Sequence, residues 1–228
     1  MRRNARLRYT LLTALGTLTA ICIFCGWYFP SVIRQRSIVN QLKNEGVWES
    51  FSTGSDRDLS EEWQPDTFWS FDTLMTMALG EEYTPVRRLW LSGPTLSDHH
   101  VTVVANELRD LQVLLIQGEH VSDKSIEQLS NFKHLKALSL SRTGVTDEGI
   151  KVVKHHPNLQ ALTVAETKIS DSSLEIISTL NKLTILDIAN TNITEDGVEL
   201  LSKKIPKSTI VIYYGSYSNP KYTIEEDR

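Results

Sequence analysis

The chain has 228 residues, 40% of them hydrophobic and 23% charged, which suits one ordinary globular domain plus an accessory segment. Its formal net charge of -4 is unevenly spread: residues 1–30 hold four bases (Arg2, Arg3, Arg6, Arg8) and no acid, leaving 24 − 4 = 20 bases against 28 acids in the remainder. An acidic body repels phosphate backbones, which disfavours a nucleic-acid partner, and both cysteines (Cys22, Cys25) fall in the N-terminal apolar stretch, so the rest has no disulfide framework and no thiol chemistry.

After the basic segment 1–9, residues 10–29 ("TLLTALGTLTAICIFCGWYF") carry no charge. A helix of that length covers about 30 Å, the hydrocarbon thickness of a bilayer, and Tyr9, Trp27 and Tyr28 stand where interfacial aromatics belong. The rival reading is a cleaved signal peptide. Its best small-x-small site, Ala20-Ile21-Cys22, lies inside the apolar run, so the sequence predicts an uncleaved transmembrane signal-anchor helix over 10–29. The bases that precede it favour a single-pass topology: cytoplasmic N-terminus, exported body on the periplasmic or cell-envelope side.

Residues 30–82 read as stalk and N-terminal cap. "SVIRQRSIVNQLKNE" (31–45) has the pattern of a helix leaving the membrane and breaking at Gly46. "VWESF" (47–51) suits a strand, 55–67 is a polar loop interrupted by Pro65, and "FWSFDTLMTMALG" (68–80) has helical apolar spacing stopped by Gly80. Trp48, Trp63 and Trp69 fall within this cap, as a shield for the open end of whatever core follows.

From 83 to 214 one spacing recurs. Val86/Leu89/Leu91, Leu111/Leu114/Ile116, Leu135/Leu138/Leu140, Leu159/Leu162/Val164 and Leu183/Leu186/Ile188 repeat an L-x-x-L-x-L triplet, with offsets of 25, 24, 24 and 24 residues. A remnant follows at Ile210/Ile212, within the expected closing strand "TIVIYY" (209–214). Five residues after each triplet comes another aliphatic (Leu96, Val121, Val145, Ile169, Ile193), then a hydroxyl and an acid: Ser97-Asp98, Ser122-Asp123, Thr146-Asp147, Ser170-Asp171, Thr194-Glu195. This is the leucine-rich-repeat pattern, an α/β solenoid with one short parallel strand and one helix per ~24-residue unit. Such units are stable only as a stack with capped ends. The tail, 215–228, lacks apolar periodicity and is expected to be disordered.

The cluster Thr143, Thr146 and Asp147 could in isolation be chemistry, but a catalytic motif does not recur with the period of the fold. The periodic hydroxyl therefore reads as a helix cap and the acid as a complement to the helix dipole.

"SRTGVTDEGI" and "AETKISDSSL" resemble the G-T-x-[VI]-T-D-x-G-L repeats of bacterial membrane-anchored leucine-rich-repeat proteins, related to the ribonuclease-inhibitor-like class. The resemblance implies a module that binds another protein. This chain departs from such repeats where Asn or Cys is frequent: Pro94, Glu119, Thr143, Thr167 and Thr191 stand there.

Strand alternation turns one residue per repeat away from the core, on the concave face. Trp90, Leu115, Ser139, Thr163, Asp187 and Val211 occupy that position, flanked by Gln117 among others. These seven are the candidate partner-binding residues, with Trp90 and Leu115 as either an anchor pocket or a surface covered by the cap. His99, His100, His120, His134, His155 and His156 lack ligand-like spacing and read as solvated surface. No nucleophile elbow, H-E-x-x-H, Walker loop or dinucleotide turn is present, so no metal, cofactor or catalytic residue is implied. The function expected is a membrane-tethered, non-enzymatic protein-binding module. The alternatives are a structural spacer of the envelope and, behind it, a hydrolase or transferase built on Asp187 or Glu119.

Overall fold

In a computed structural model the protein is described over residues 30–47, 50–53, 85–207 and 209–212. Helix α1 (30–44) leads to strand β1 (Ser50–Thr53) and then to the repeats. These contribute β2 (Val86–Ser92), α2 (Asp98–Glu107), β3 (Val113–Gln117), α3 (Asp123–Ile126), β4 (Ala137–Ser139), β5 (Ala161–Thr163), α4 (Leu174–Ile177), β6 (Ile185–Asp187), α5 (Glu195–Ser202) and β7 (Ile210–Ile212). The strands form one sheet in chain order, β1 antiparallel to β2 and every later pair parallel.

The stacking follows from the repeat itself. Leu89, Leu114, Leu138, Leu162, Leu186 and Val211 form one continuous row across β2–β7, each 1% exposed or less. Leu91, Ile116, Leu140, Val164 and Ile188 form a second row, equally buried. The aliphatics that precede the strands (Leu111, Leu135, Leu159, Leu183) and those that precede the helices (Leu96, Val121, Val145, Ile169, Ile193) close the core from either edge. Strands sit roughly 4.8 Å apart, whereas packed helices need about 8–10 Å. The stack must therefore bend with the sheet inside. Part of the outer side is wound as slimmer 3₁₀ turns (Glu127–Asn131, Gly149–His155, Asp171–Ser173), which moderates that bend.

The hydroxyl–acid pairs do more than the sequence predicts. Thr146, Ser170 and Thr194 do accept first-turn amides, from Glu148, Ser172 and Gly197. Each of the four aspartates, however, reaches forward into the next repeat. Asp98 accepts from the Ser122 amide (2.7 Å), the Ser122 hydroxyl (2.6 Å) and the Ser125 hydroxyl (2.6 Å). Asp123 holds the Thr146 amide and hydroxyl, and Asp171 holds those of Thr194. Asp147 holds the Ser170 amide (2.8 Å) and hydroxyl (2.6 Å) together with the Ser173 hydroxyl. The acids are inter-repeat staples rather than dipole complements alone.

These staples explain a residue choice three positions after each hydroxyl. There the chain carries Ser125, Gly149, Ser173 and Gly197: either a serine that donates to the staple or a glycine that makes room for it. A Cβ on Gly149 would collide with Asp123 Oδ1 and lie 3.1 Å from Val145 Cγ1. Gly149→Ala is expected to cost about 1–2 kcal/mol, and Gly149→Ser to recover most of it by donating to Asp123. Denaturant midpoints of the two variants check the difference.

The three departures at Thr143, Thr167 and Thr191 are backbone ties. Their hydroxyls donate to the carbonyls of Leu140, Val164 and Ile188, and each follows a residue of positive φ (Arg142, Glu166, Asn190).

The N-terminal end departs from expectation in two ways. Helix α1 is a docked cap, not a stalk. Val32, Ile38, Val39 and Leu42 are buried, Gln35 Oε1 accepts the Val86 amide at 3.0 Å, and Thr95 donates to the Glu45 carbonyl. At the turn after it, Gly93 (φ 139°) comes against the Gly46 carbonyl so closely that a Cβ has no space. His100, expected on the surface, satisfies the Ser97 amide through Nδ1 (3.1 Å) and pairs with Glu45 through Nε2 (3.0 Å). Repeat one has no preceding repeat to supply a carboxylate, and His100 takes that place. The proposed strand at 47–51 is realised as Ser50–Thr53. Trp48, Trp63, Trp69, the helix at 68–80 and the tail lie outside the described residues.

The second departure concerns the membrane. Among the described residues no helix is long and apolar enough to cross a bilayer, and the 10–29 segment lies outside them. Helix α1 carries Arg34, Arg36 and Lys43 and buries its apolar side in protein, where a span needs about 20 apolar residues. The expected transmembrane signal-anchor helix, single-pass topology, membrane attachment and exported location are accordingly withdrawn. What stands is the α/β parallel solenoid.

Candidate functional site

The outward face of the sheet is built from two full rows, set by strand register. One runs Arg88, Val113, Ala137, Ala161, Ile185, Ile210; the other runs Trp90, Leu115, Ser139, Thr163, Asp187, Ile212. Six of the seven candidates lie on this face: Trp90, Leu115, Ser139, Thr163 and Asp187 in the second row, and Gln117 beside Ser92 on the flank. Trp90 is 38% exposed and pairs in register with Leu115.

Val211 is not on this face. It is 1% exposed and pairs with Leu186 in the core. The step from Leu186 to Val211 is 211 − 186 = 25 residues, one more than the interior repeats, and a shift of one residue exchanges the two faces of a strand. Ile210 and Ile212, expected inside, therefore flank the outward face, with Ile210 49% exposed. Ala189, two residues beyond Asp187, is buried.

Ile185, 42% exposed beside Ile210, was legible from alternation alone: it sits two residues before Asp187 in the same strand. The face thus has apolar ends (Trp90, Leu115 and Val113 at one, Ile185, Ile210 and Ile212 at the other) with a small, neutral centre of Ala137, Ser139, Ala161 and Thr163.

Asp187 is the one carboxylate in the rows. Burial raises its pKa, the Ala189 amide it accepts at 3.1 Å opposes the rise, and the charge of Glu166 adds to it. A perturbed carboxylate can mark a reactive site. Here no hydroxyl donates to it among the described residues, and Glu119 is exposed. Nor does any group of three or more His, Cys, Asp and Glu among the described residues have metal-binding geometry. Because the folded-state pKa lies above the unfolded one, the ionised group costs stability at neutral pH. Asp187→Asn is expected to raise the melting temperature at pH 7, and the gain should vanish as pH falls toward 4. Calorimetry at both pH values checks it.

A family model described as leucine-rich repeat matches residues 133–153 and 179–202. Comparison with curated proteins returns no match. Among solved structures, an internalin from Listeria monocytogenes is 22% identical, with a TM-score of 0.41, over 57% of this chain and 41% of that one. Internalin C2 of the same organism is 15% identical, with a TM-score of 0.36, over 56% of this chain and 70% of its own. This chain thus spans less than half the length of the first.

Proposed function

We propose that the leucine-rich-repeat domain formed by residues 85–212 is a non-enzymatic module that holds a protein partner against its outward sheet face. One observation carries the reading: Trp90, Ile185 and Ile210 stand 38%, 42% and 49% exposed on a single face of a sheet whose opposite face is fully buried. Large apolar groups held rigidly in a concavity, around a centre of small side chains that permits close approach, are what a protein interface uses as anchors. Its length, six strands at roughly 4.8 Å spacing, suits an extended segment or a helix of a partner better than a small molecule.

A photo-crosslinking residue at Ser139, against one at Lys151 on the helical side, tests this directly. The same partner is expected to be captured from position 139 and not from 151, with affinity lowered roughly tenfold or more in Trp90→Ala. Equal capture from both sides, or none above background from position 139, would leave only a structural spacer.

A further inference from the structure

On the edge of the solenoid where each helix hands over to the next strand, an open recess of about 240 Å³ is bordered by Lys133, His134, Lys136, Asn158, Gln160 and Lys182. No carboxylate lines it. Among the described residues none of the three lysines pairs with an acid; Lys182 Nζ instead donates to Asn158 Oδ1 at 2.6 Å. Asp110, which holds the equivalent place to His134 one repeat earlier, is not part of the wall. The body of the chain is acidic, so three unneutralised ammonium groups at one spot run against its overall charge.

The backbone argues for the same sign of ligand. The carbonyls of Gln112, Lys136 and Gln160, which could otherwise ligate a cation, each already accept two amides: those of Lys136 and Ala137, of Gln160 and Ala161, and of Thr184 and Ile185. Apart from the side-chain amide oxygens, of which Asn158 Oδ1 already accepts from Lys182, what the recess has to give is N–H: three ammonium groups, an imidazole and the side-chain amide NH2 groups. The acids that staple the repeats lie on the other edge, at the helix starts, so they do not neutralise it.

We infer that this recess is a binding site for a multiply charged oxyanion of the phosphate class, separate from the sheet face and independent of the function proposed for it. Several ammonium groups converging on one dianion bind it by charge-assisted hydrogen bonds without requiring a fixed fork geometry. Such a group reaches the site either free or as the headgroup of an anionic lipid, and the two sources differ experimentally.

The full chain is titrated calorimetrically with sodium pyrophosphate at constant ionic strength, sodium chloride serving as the blank. In parallel it is sedimented with phosphatidylglycerol vesicles and with neutral phosphatidylcholine vesicles. Saturable binding to pyrophosphate, or to the anionic vesicles alone, is expected, weakened about tenfold or more in Lys136→Gln/Lys182→Gln. A melting curve matching wild type shows that the double variant is folded. Lys151→Gln/Lys203→Gln removes the same charge elsewhere and is expected to bind as wild type. Heats no larger than the chloride blank with no preference for anionic vesicles, or equal weakening by both double variants, would overturn the site.

Discussion

Replacing Asp147 by alanine is expected to destabilise the domain by about 2–4 kcal/mol, more than any other staple except Asp98. Three donors lose their acceptor at once: the Ser170 amide, the Ser170 hydroxyl and the Ser173 hydroxyl. Hydrogen bonds to a charged group contribute roughly 1.5–3 kcal/mol each, but partial solvent access and non-additivity bring the sum well below three times that. Asp123 and Asp171 hold two donors and face glycine where Asp147 faces Ser173, so their alanine variants should lose less. A chemical-denaturation series of the four variants tests the ranking; indifference of stability to Asp147→Ala would remove the staple as a stabilising device.

The same carboxylates set an acid limit. Burial pushes Asp98 and Asp147 up, yet the hydrogen bonds from Ser122 and Ser125, and from Ser170 and Ser173, outweigh it and hold both below the usual carboxylate range. A folded pKa below the unfolded one means that their stabilisation is complete above about pH 4 and is lost as pH falls beneath it. Asp147→Ala should therefore flatten the acid limb of the stability profile as well as lower its plateau.

His156→Leu is expected to act in the opposite direction, adding about 1–3 kcal/mol, a rise of roughly 3–10 °C in Tm. At successive 24-residue steps the equivalent positions are Leu108, Phe132 and Leu180, each 1% exposed or less. His156 stands in that row at 2% exposed, and neither ring nitrogen completes a well-directed hydrogen bond among the described residues, the Phe132 and Leu129 carbonyls lying near the ring without the geometry of one. Burial lowers its pKa and the neighbouring His155 adds to the effect, while the Phe132 and Leu129 carbonyls oppose it.

An imidazole depressed in the folded state is neutral there while the unfolded chain takes up a proton. Wild type consequently loses stability as pH falls below about 6.5. The advantage of leucine should then widen between pH 7 and pH 5. Exposed His120→Leu serves as the control and should show no such widening. Thermal melts of the three proteins across that range decide it; a constant difference at all pH values would mean that His156 is not buried neutral.

The sequence by itself determined the solenoid, because its information is periodic and local. A triplet repeated at 24–25 residues specifies strand, core row and stacking together, and every interior triplet aliphatic is buried as alternation requires. It also placed Trp90, Leu115, Ser139, Thr163 and Asp187 on the outward face, since period-two alternation suffices within a strand whose register is known. It failed at β7, where one extra residue in the connection exchanged Val211 for Ile210 and Ile212.

Tertiary structure alone decided what depends on contacts between repeats or with the cap. That the acid serves the following repeat rather than its own helix is a neighbour relation, invisible in a single 24-residue unit. The docking of α1, which reads as a stalk because its amphipathic pattern does not name its partner, is of the same kind. So is the burial of His156: its side chain is polar by type, but its position in the repeat is apolar, and packing follows the position.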